Sequence, residues 1–68
     1  MQIGVIKGKI VEQYGSAKKF ADEIGWSETK ISRILTGKQD PSAKDVKAMA
    51  VALRIVSPAD VVALFLFD

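Results

Sequence analysis

The stretch Ser16–Gly37, SAKKFADEIGWSETKISRILTG, has the pattern of two short helices joined by a tight turn. Ser16 is a good N-cap, because its hydroxyl can accept a hydrogen bond from a free amide of the first turn, and Ser27 can cap the second helix in the same way. Gly25 can end the first helix and Gly37 the second, since glycine enters the left-handed region without steric cost. The rest of the chain is organised around this stretch.

Three positions in the stretch fit two helices that cross at a steep angle. Ala21 is small enough for the helix axes to come close. Gly25 supplies the positive φ of the sharp turn, and Ile31 can reach back from the second helix to lock the pair. Because the three positions need three different residue types, a chance match is uncommon.

The second of these helices, expected from Glu28 to about Thr36, is amphipathic. At about 100° per residue, its apolar side chains cover one side, namely Ile31, Ile34 and Leu35. The opposite side is polar and consists of Glu28, Thr29, Ser32, Arg33 and Thr36, with Lys30 on the flank. Small polar side chains with few ion-pairing partners are an unusual choice for a face that is merely solvated, so this side is a candidate recognition surface.

Apolar spacing predicts further helices on both sides of this pair. A first helix is expected from about Ile6 or Lys7 to Tyr14, and the opening MQIGVIKGK, weakened by two glycines, is expected to be a frayed arm or a short extended segment. Ser42, with Asp45 three residues later, has the form of a capping box at the start of a fourth helix. The apolar stripe of that helix is Val46, Met49, Ala50 and Leu53.

A fifth helix is expected from Pro58 towards Leu64 or Leu66. Ser57 is its expected cap, and Pro58 takes the first helical position, where proline is favoured. The predicted fold is therefore all-α, with five short helices in one compact domain over residues 1–68. The last helix and its apolar tail occupy residues 57–68.

Composition limits the functions open to the chain. With 68 residues, of which 49% are hydrophobic and 26% charged, it has enough apolar side chains to fold and no room for an enclosed substrate cavity. It has no cysteine and no histidine, which removes disulfides, thiolate metal sites and the commonest general base. We therefore expect neither enzymatic activity nor a metal, a cofactor or a small-molecule substrate.

The net charge of +2 is modest, but its distribution is uneven. Residues 1–40 carry seven basic side chains against five acidic ones, and residues 41–68 carry three of each. This bias suits contact with phosphates, and the candidate phosphate-facing rim consists of Lys7, Lys9, Lys18, Lys19 and Lys38. The longest apolar run, Val61–Phe67, is too short to span a bilayer, so we expect a cytoplasmic location and no membrane contact.

These features together resemble the phage-repressor and Cro-like, or Xre-type, helix-turn-helix family. The resemblance covers nearly everything from Ile10 to Leu64. It rests on KFA at 19–21 before Gly25, on SETKISR at 27–33, and on GK at 37–38 leading to PS at 41–42. The chain is most similar to the short single-domain regulators of temperate phages of Gram-positive bacteria. The resemblance implies a lambda-repressor-like fold, double-stranded operator DNA as the partner, and the cytosol of a bacterial host as the location.

In that family the third helix lies in the major groove with its N-terminal part against the base edges. Carried over to this chain, the resemblance implies that bases are read by Glu28, Thr29, Ser32 and Arg33. It also implies phosphate contacts at the start of the second helix and around the third, from Ala17, Lys18, Lys30, Thr36 and Lys38. Ala17 stands where members of the family usually carry a glutamine that braces the recognition helix.

The apolar run in the last part of the chain has two interpretations. Half of its side chains can close the small core, or they can leave an exposed apolar patch that requires a partner. The candidate interface residues are Val61, Leu64, Phe65, Leu66 and Phe67. The resemblance favours a two-fold dimer through the last helix. A heterologous partner, such as another phage repressor, can use the same patch.

Functions of different classes remain open from the sequence. The leading hypothesis is a Cro-like transcriptional repressor that occludes a promoter as a dimer. The alternative is an antirepressor or modulator that keeps the fold and binds a repressor protein, which is favoured by the modest charge, by Ala17, by Glu28 and by the apolar tail. An antitoxin-like role would need an additional toxin-binding segment.

Overall fold

The computed structural model describes residues 1–67, which form five α-helices around one apolar core. The helices have the bounds Ile3–Tyr14 (α1), Ala17–Ile24 (α2), Glu28–Leu35 (α3), Ala43–Ala52 (α4) and Pro58–Val61 (α5). A π-helical turn over Val62–Leu66 continues α5. The described residues contain no β-strand. The all-α, five-helix class predicted from the sequence is confirmed.

The ends of α2 and α3 follow the local signals in the sequence. The Ser16 hydroxyl accepts a hydrogen bond from the Lys19 amide at 3.2 Å, and the Ser27 hydroxyl accepts one from the Lys30 amide at 3.1 Å. Gly25 follows α2 in the left-handed conformation, with φ of 75°. Both predicted caps and the left-handed stop after α2 are confirmed.

The core lies where α1, α2, α3 and α4 meet. Ala21, at the predicted close approach of α2 to its neighbours, is 1% exposed. Phe20 is fully buried and meets the ring of Tyr14 edge-on, with the ring centroids 5.0 Å apart. The predicted stripe of α4 also faces inward, because Met49 and Leu53 are buried.

The two ends of α4 are held differently. At its start, the predicted capping box is present, since the Ser42 hydroxyl accepts from the Asp45 amide and the Asp45 carboxylate accepts from the Ser42 amide, both at 3.1 Å. At its end, α1 supplies donors for the last carbonyls: the Tyr14 hydroxyl donates to Ala52 at 2.6 Å, and the Gln13 amide donates to Leu53 at 3.2 Å. These contacts hold the end of α4 against the end of α1.

The expectation that the opening residues form a frayed arm or an extended segment is wrong, because α1 begins at Ile3. The reason is a contact with the far end of the chain. The Gln2 amide donates to the Leu64 carbonyl at 2.7 Å, and the Gln2 side chain donates to the Ala63 carbonyl at 2.9 Å. These two bonds, together with the complete burial of Ile6, hold the first turn of α1 in place.

The start of α5 needs a smaller correction. Pro58 takes the first helical position as expected, and Ser57 precedes it. The Ser57 hydroxyl, however, makes no capping hydrogen bond. The prediction that Ser57 caps α5 through its side chain is therefore wrong, and the first turn is closed only by backbone bonds such as that from the Val61 amide to the Ser57 carbonyl.

The apolar run after Asp60 divides between the core and the surface. Phe65 is 5% exposed and belongs to the core, and Val61 and Leu64 are half-buried against it. Leu66 and Phe67 are 67% and 63% exposed. The assignment of Phe65 to a partner interface is therefore wrong, because its ring is used to close the domain's own core.

Candidate nucleic-acid interface

The third helix packs against the core through its apolar side and exposes its polar side to solvent. Ile31, Ile34 and Leu35 are buried, as their spacing predicted. Because these three residues lie on one side of an eight-residue helix, its polar side is turned away from the core. The face available to a partner is therefore determined by the apolar stripe.

The polar side of α3 forms one continuous surface. Its exposed side chains line a single shallow depression of about 410 Å³, together with two residues that follow the helix. The lining residues are Glu28, Thr29, Ser32, Arg33, Thr36 and Lys38. The structure thus brings together all four predicted base-reading residues and two of the predicted phosphate contacts. The depression is open to solvent along its length, which suits the edge of a large ligand better than a small enclosed substrate.

The end of α3 is ordered by hydrogen bonds within this surface. The Lys38 amide donates to the Arg33 carbonyl at 2.9 Å, and Gly37, with φ of 76°, makes the required left-handed turn. The Thr36 hydroxyl donates to the Ser32 carbonyl at 2.8 Å. Its proton is therefore already used, and a phosphate contact from the Thr36 side chain would have to compete with that bond.

A second depression lies between α3 and the start of α2. Its lining includes Ala17 and Lys18, which the sequence suggested as phosphate contacts, and also Lys7 of α1 beside Glu28. The sequence named Lys7 only as one of five lysines of a candidate phosphate-facing rim. It becomes specific in the structure because α1 runs alongside the α2–α3 pair.

Two other lysines of the predicted rim lie elsewhere. Lys9 lines a separate depression with Gln13 and Leu53, at the junction of α1 and α4. Lys19 lies beside Gly15, with its Nζ 3.8 Å from the position that a Cβ at Gly15 would occupy. The rim next to α3 therefore consists of Lys7, Lys18 and Lys38.

Lys30 has a different position from the other predicted phosphate contacts. Its Nζ lies 2.9 Å from the Asp45 carboxylate and 4.3 Å from the centroid of the Trp26 ring. The pKa of Asp45 is held below its ordinary value, first by the hydrogen bond from Lys30 and then by the amide of Ser42. The ammonium group of Lys30 is thus directed towards α4 and does not line the depression on the polar side of α3.

A third surface lies at the end of the described chain. Leu66 and Phe67 are exposed at the end of the π-helical turn, and Val62, which is not among the predicted interface residues, is 38% exposed. Burial within the run is uneven, which the sequence pattern does not show. A run that is apolar on every side indicates that some members must be exposed, but it does not indicate which.

Comparison with known proteins agrees with this geometry. A family model described as a helix-turn-helix domain matches residues 14–64. The comparisons with curated proteins and with solved structures found no match. Within residues 1–67, no helix is both long and apolar enough to cross a membrane. A helix-turn-helix domain indicates a DNA-binding regulator, and the family is typically non-enzymatic. The match extends over most of the chain, which therefore belongs to the helix-turn-helix domain family.

Proposed function

We propose that this protein is a sequence-specific transcriptional regulator of the Cro-like type, which binds operator DNA with α3 in the major groove. The observation that carries the proposal is the polar surface of α3, on which four exposed side chains capable of base contacts line one depression. An α-helix fits the major groove of B-DNA, where each base pair presents a distinct pattern of donors and acceptors.

The four side chains have different capacities for reading bases. Arg33 can donate two hydrogen bonds to the O6 and N7 atoms of guanine, which is the commonest specific contact in the major groove. Thr29 can meet a thymine methyl group or a hydrogen-bonding edge. Glu28 only accepts hydrogen bonds when ionised, so a base that it contacts must offer a donor such as the N4 amine of cytosine.

Phosphate contacts on either side would hold the helix in register. Lys7 and Lys18 line the depression between α2 and α3, and Lys38 lines the one on the polar side of α3. Each of these exposed cations can neutralise one phosphate beside the polar surface. The acidic Glu28, which lines both depressions, lowers the attraction to DNA of arbitrary sequence, which favours discrimination over strength.

A dimer would add a second set of DNA contacts to those of a single domain. We propose that Leu66 and Phe67 contact a second copy, because two large exposed apolar side chains at one end of a small domain favour association. The domain measures 27 × 23 × 20 Å along its principal axes. Two copies in contact can therefore place their third helices about 34 Å apart, one turn of B-DNA. Such a dimer bound over a promoter would repress transcription by occlusion.

The test begins with selection of binding sites from a random-sequence DNA pool, followed by titration of the best site. We expect a pseudo-palindromic site, and we expect Arg33→Ala to weaken its binding by about 1–3 kcal/mol, or about 5- to 150-fold. Arg54→Ala is the matched control, because Arg54 is exposed and lines a depression at the α1–α4 junction. No enriched sequence, or equal losses in the two variants, would overturn the proposal.

A modulator that binds a repressor protein is the second candidate, and the exposed Leu66 and Phe67 are the observation that favours it. In that function the apolar residues contact the repressor rather than a second copy. Sedimentation of the protein alone and mixed with a repressor of the same family separates the two candidates. A monomer that forms a stable complex with the repressor and binds no DNA sequence would favour the modulator.

A further inference from the structure

We infer that Lys30 and Asp45 form a positioning link that sets the orientation of α3 on the domain, and that Lys30 acts through this link rather than through a DNA phosphate. The inference rests on the proposed function, since it concerns how the polar surface of α3 is presented to DNA. It gives a role in sequence recognition to Asp45, a residue on α4 that does not line that surface.

The geometry of the link is well defined at both ends. The Lys30 ammonium lies 2.9 Å from Oδ1 of Asp45 and 4.3 Å from the centre of the Trp26 ring. The other carboxylate oxygen, Oδ2, accepts the Ser42 amide at 3.1 Å. Both oxygens of Asp45 thus accept a hydrogen bond, and the capping box holds the carboxylate in the orientation that Lys30 contacts.

The link joins two helices whose backbones approach each other at few points. The backbone of α3 comes close to α2, whereas α3 and α4 approach each other at fewer points. The seven residues between Leu35 and Ala43 form turns and no regular element. The Lys30–Asp45 pair therefore spans the gap between the recognition helix and the fourth helix.

The side chains of the pair are partly shielded from water. Lys30 is 33% exposed and Asp45 is 14% exposed. A pair in this setting is screened less than one on the open surface. The ammonium group of Lys30 also lies over the Trp26 ring, and this cation–π contact further restricts the directions that the group can take.

The alternative role, a phosphate contact from Lys30, predicts the opposite result for a substitution of Asp45. Asp45→Asn would release Lys30 and remove a negative charge, so it would tighten DNA binding if Lys30 contacted a phosphate. If Lys30 positions α3, the same substitution loosens the helix and weakens binding. Asn keeps an oxygen that can accept the Ser42 amide, so the capping box survives the test.

The experiment compares Lys30→Met, Asp45→Asn and the double variant on the selected DNA site and on DNA of unrelated sequence, across a range of salt concentrations. Met keeps an unbranched side chain of similar length and removes the charge. Lys44→Met is the matched control, because it removes one exposed positive charge from the same region of α4. All variants are compared at a temperature where circular dichroism finds each one folded.

We expect each single variant to bind the selected site about 5- to 10-fold more weakly, and the double variant to bind no more weakly than either single one, because coupled residues are not additive. Binding to unrelated DNA and the salt dependence should follow the Lys44→Met control. Tighter binding by Asp45→Asn, or a slope of log K against log salt reduced by about 0.9 in Lys30→Met alone, would overturn the inference.

Hydrogen exchange of the free protein supplies a second measurement that does not depend on DNA. If the link holds α3, exchange of the amides over residues 31–35 should accelerate in both single variants relative to the amides of α2, and remain unchanged in Lys44→Met. If exchange accelerated no more in α3 than in α2 in either single variant, the positioning role would be overturned even if no DNA site were found. Accelerated exchange without any enriched DNA sequence would instead contradict only the proposed function.

Discussion

Two regions of this molecule acquire their structure in different ways. The recognition unit, Ser16–Gly37, has serine caps that bond within their own turns and a glycine stop after each helix, so each boundary is explained by residues nearby in sequence. The joined ends, Met1–Ile6 and Val61–Phe67, are held by contacts between residues about sixty positions apart. The first region carries the proposed recognition surface, and the second completes the core that supports it.

The largest effect is expected where the joined ends enter the core. Phe65→Ala should lower the free energy of unfolding by about 3–5 kcal/mol, because it leaves a cavity under the last turn. Phe67→Ala is the matched control, since its ring is exposed, and it should change the stability of the monomer by no more than about 0.5 kcal/mol. Urea denaturation at low protein concentration measures both. Similar losses in the two variants would show that the division of the tail into core and surface is wrong.

The recognition unit was predictable from sequence because its signals are local. Ser27 is followed by an amphipathic helix, and Gly25 stands where the turn needs positive φ, so neither depends on knowing the rest of the fold. The candidate site followed from it, since burial of Ile31 on one side of a helix leaves the other side exposed. Which of the five predicted rim lysines lie next to α3 was not predictable, because the position of Lys7 beside it depends on how α1 packs.

The joined ends were not predictable for a related reason. Two glycines in MQIGVIKGK argue locally against a helix, and the bonds from Gln2 to Ala63 and Leu64, with the burial of Ile6, override them. The start of α1 therefore follows long-range contacts rather than local preference. Arg54 is a different case: it takes φ of 60° after α4, where glycine or asparagine is usual, and local bonds from its own amide to Val51 and from the Ile55 amide to Ala50 end the helix there.

A glycine in the turn of the recognition unit and a glycine inside α1 should respond with opposite signs to substitution by alanine. Gly25→Ala should destabilise the protein by about 1 kcal/mol, because Gly25 has φ of 75°, where a Cβ is strained. Gly8→Ala should stabilise it by about 0.5–1 kcal/mol, since Gly8 lies within α1 and an added Cβ meets nothing within 4 Å. Thermal unfolding of both variants beside the wild type tests this. A stabilising Gly25→Ala would contradict the left-handed turn.

The serines that precede α3 and α5 also differ, because Ser27 makes a capping hydrogen bond through its side chain and Ser57 does not. Ser27→Ala should cost about 1 kcal/mol, because the hydroxyl accepts the Lys30 amide at the start of the recognition helix. Ser57→Ala should be neutral to within about 0.5 kcal/mol, since Ser57 occupies the same position before α5 without making that bond. The measurement is the urea midpoint of each variant. A cost for Ser57→Ala as large as that for Ser27→Ala would mean that α5 is capped locally after all.

The smallest effect concerns the link between the recognition unit and α4. The pKa of Asp45 is lowered in the folded protein from its ordinary value of 3.8, chiefly by the Lys30 hydrogen bond. A group whose pKa is lower in the folded state stabilises that state above the unfolded pKa, and this contribution disappears as the pH falls through the folded pKa. Asp45→Asn removes the ionised form at every pH. The difference in unfolding free energy between the wild type and Asp45→Asn should therefore be constant near neutral pH and shrink as the pH falls below about 4. Asp22→Asn is the control, because Asp22 is exposed and makes no ion pair within the described residues.

A wild-type advantage over Asp45→Asn that persists unchanged to pH about 2 would show that the carboxylate is not held by Lys30.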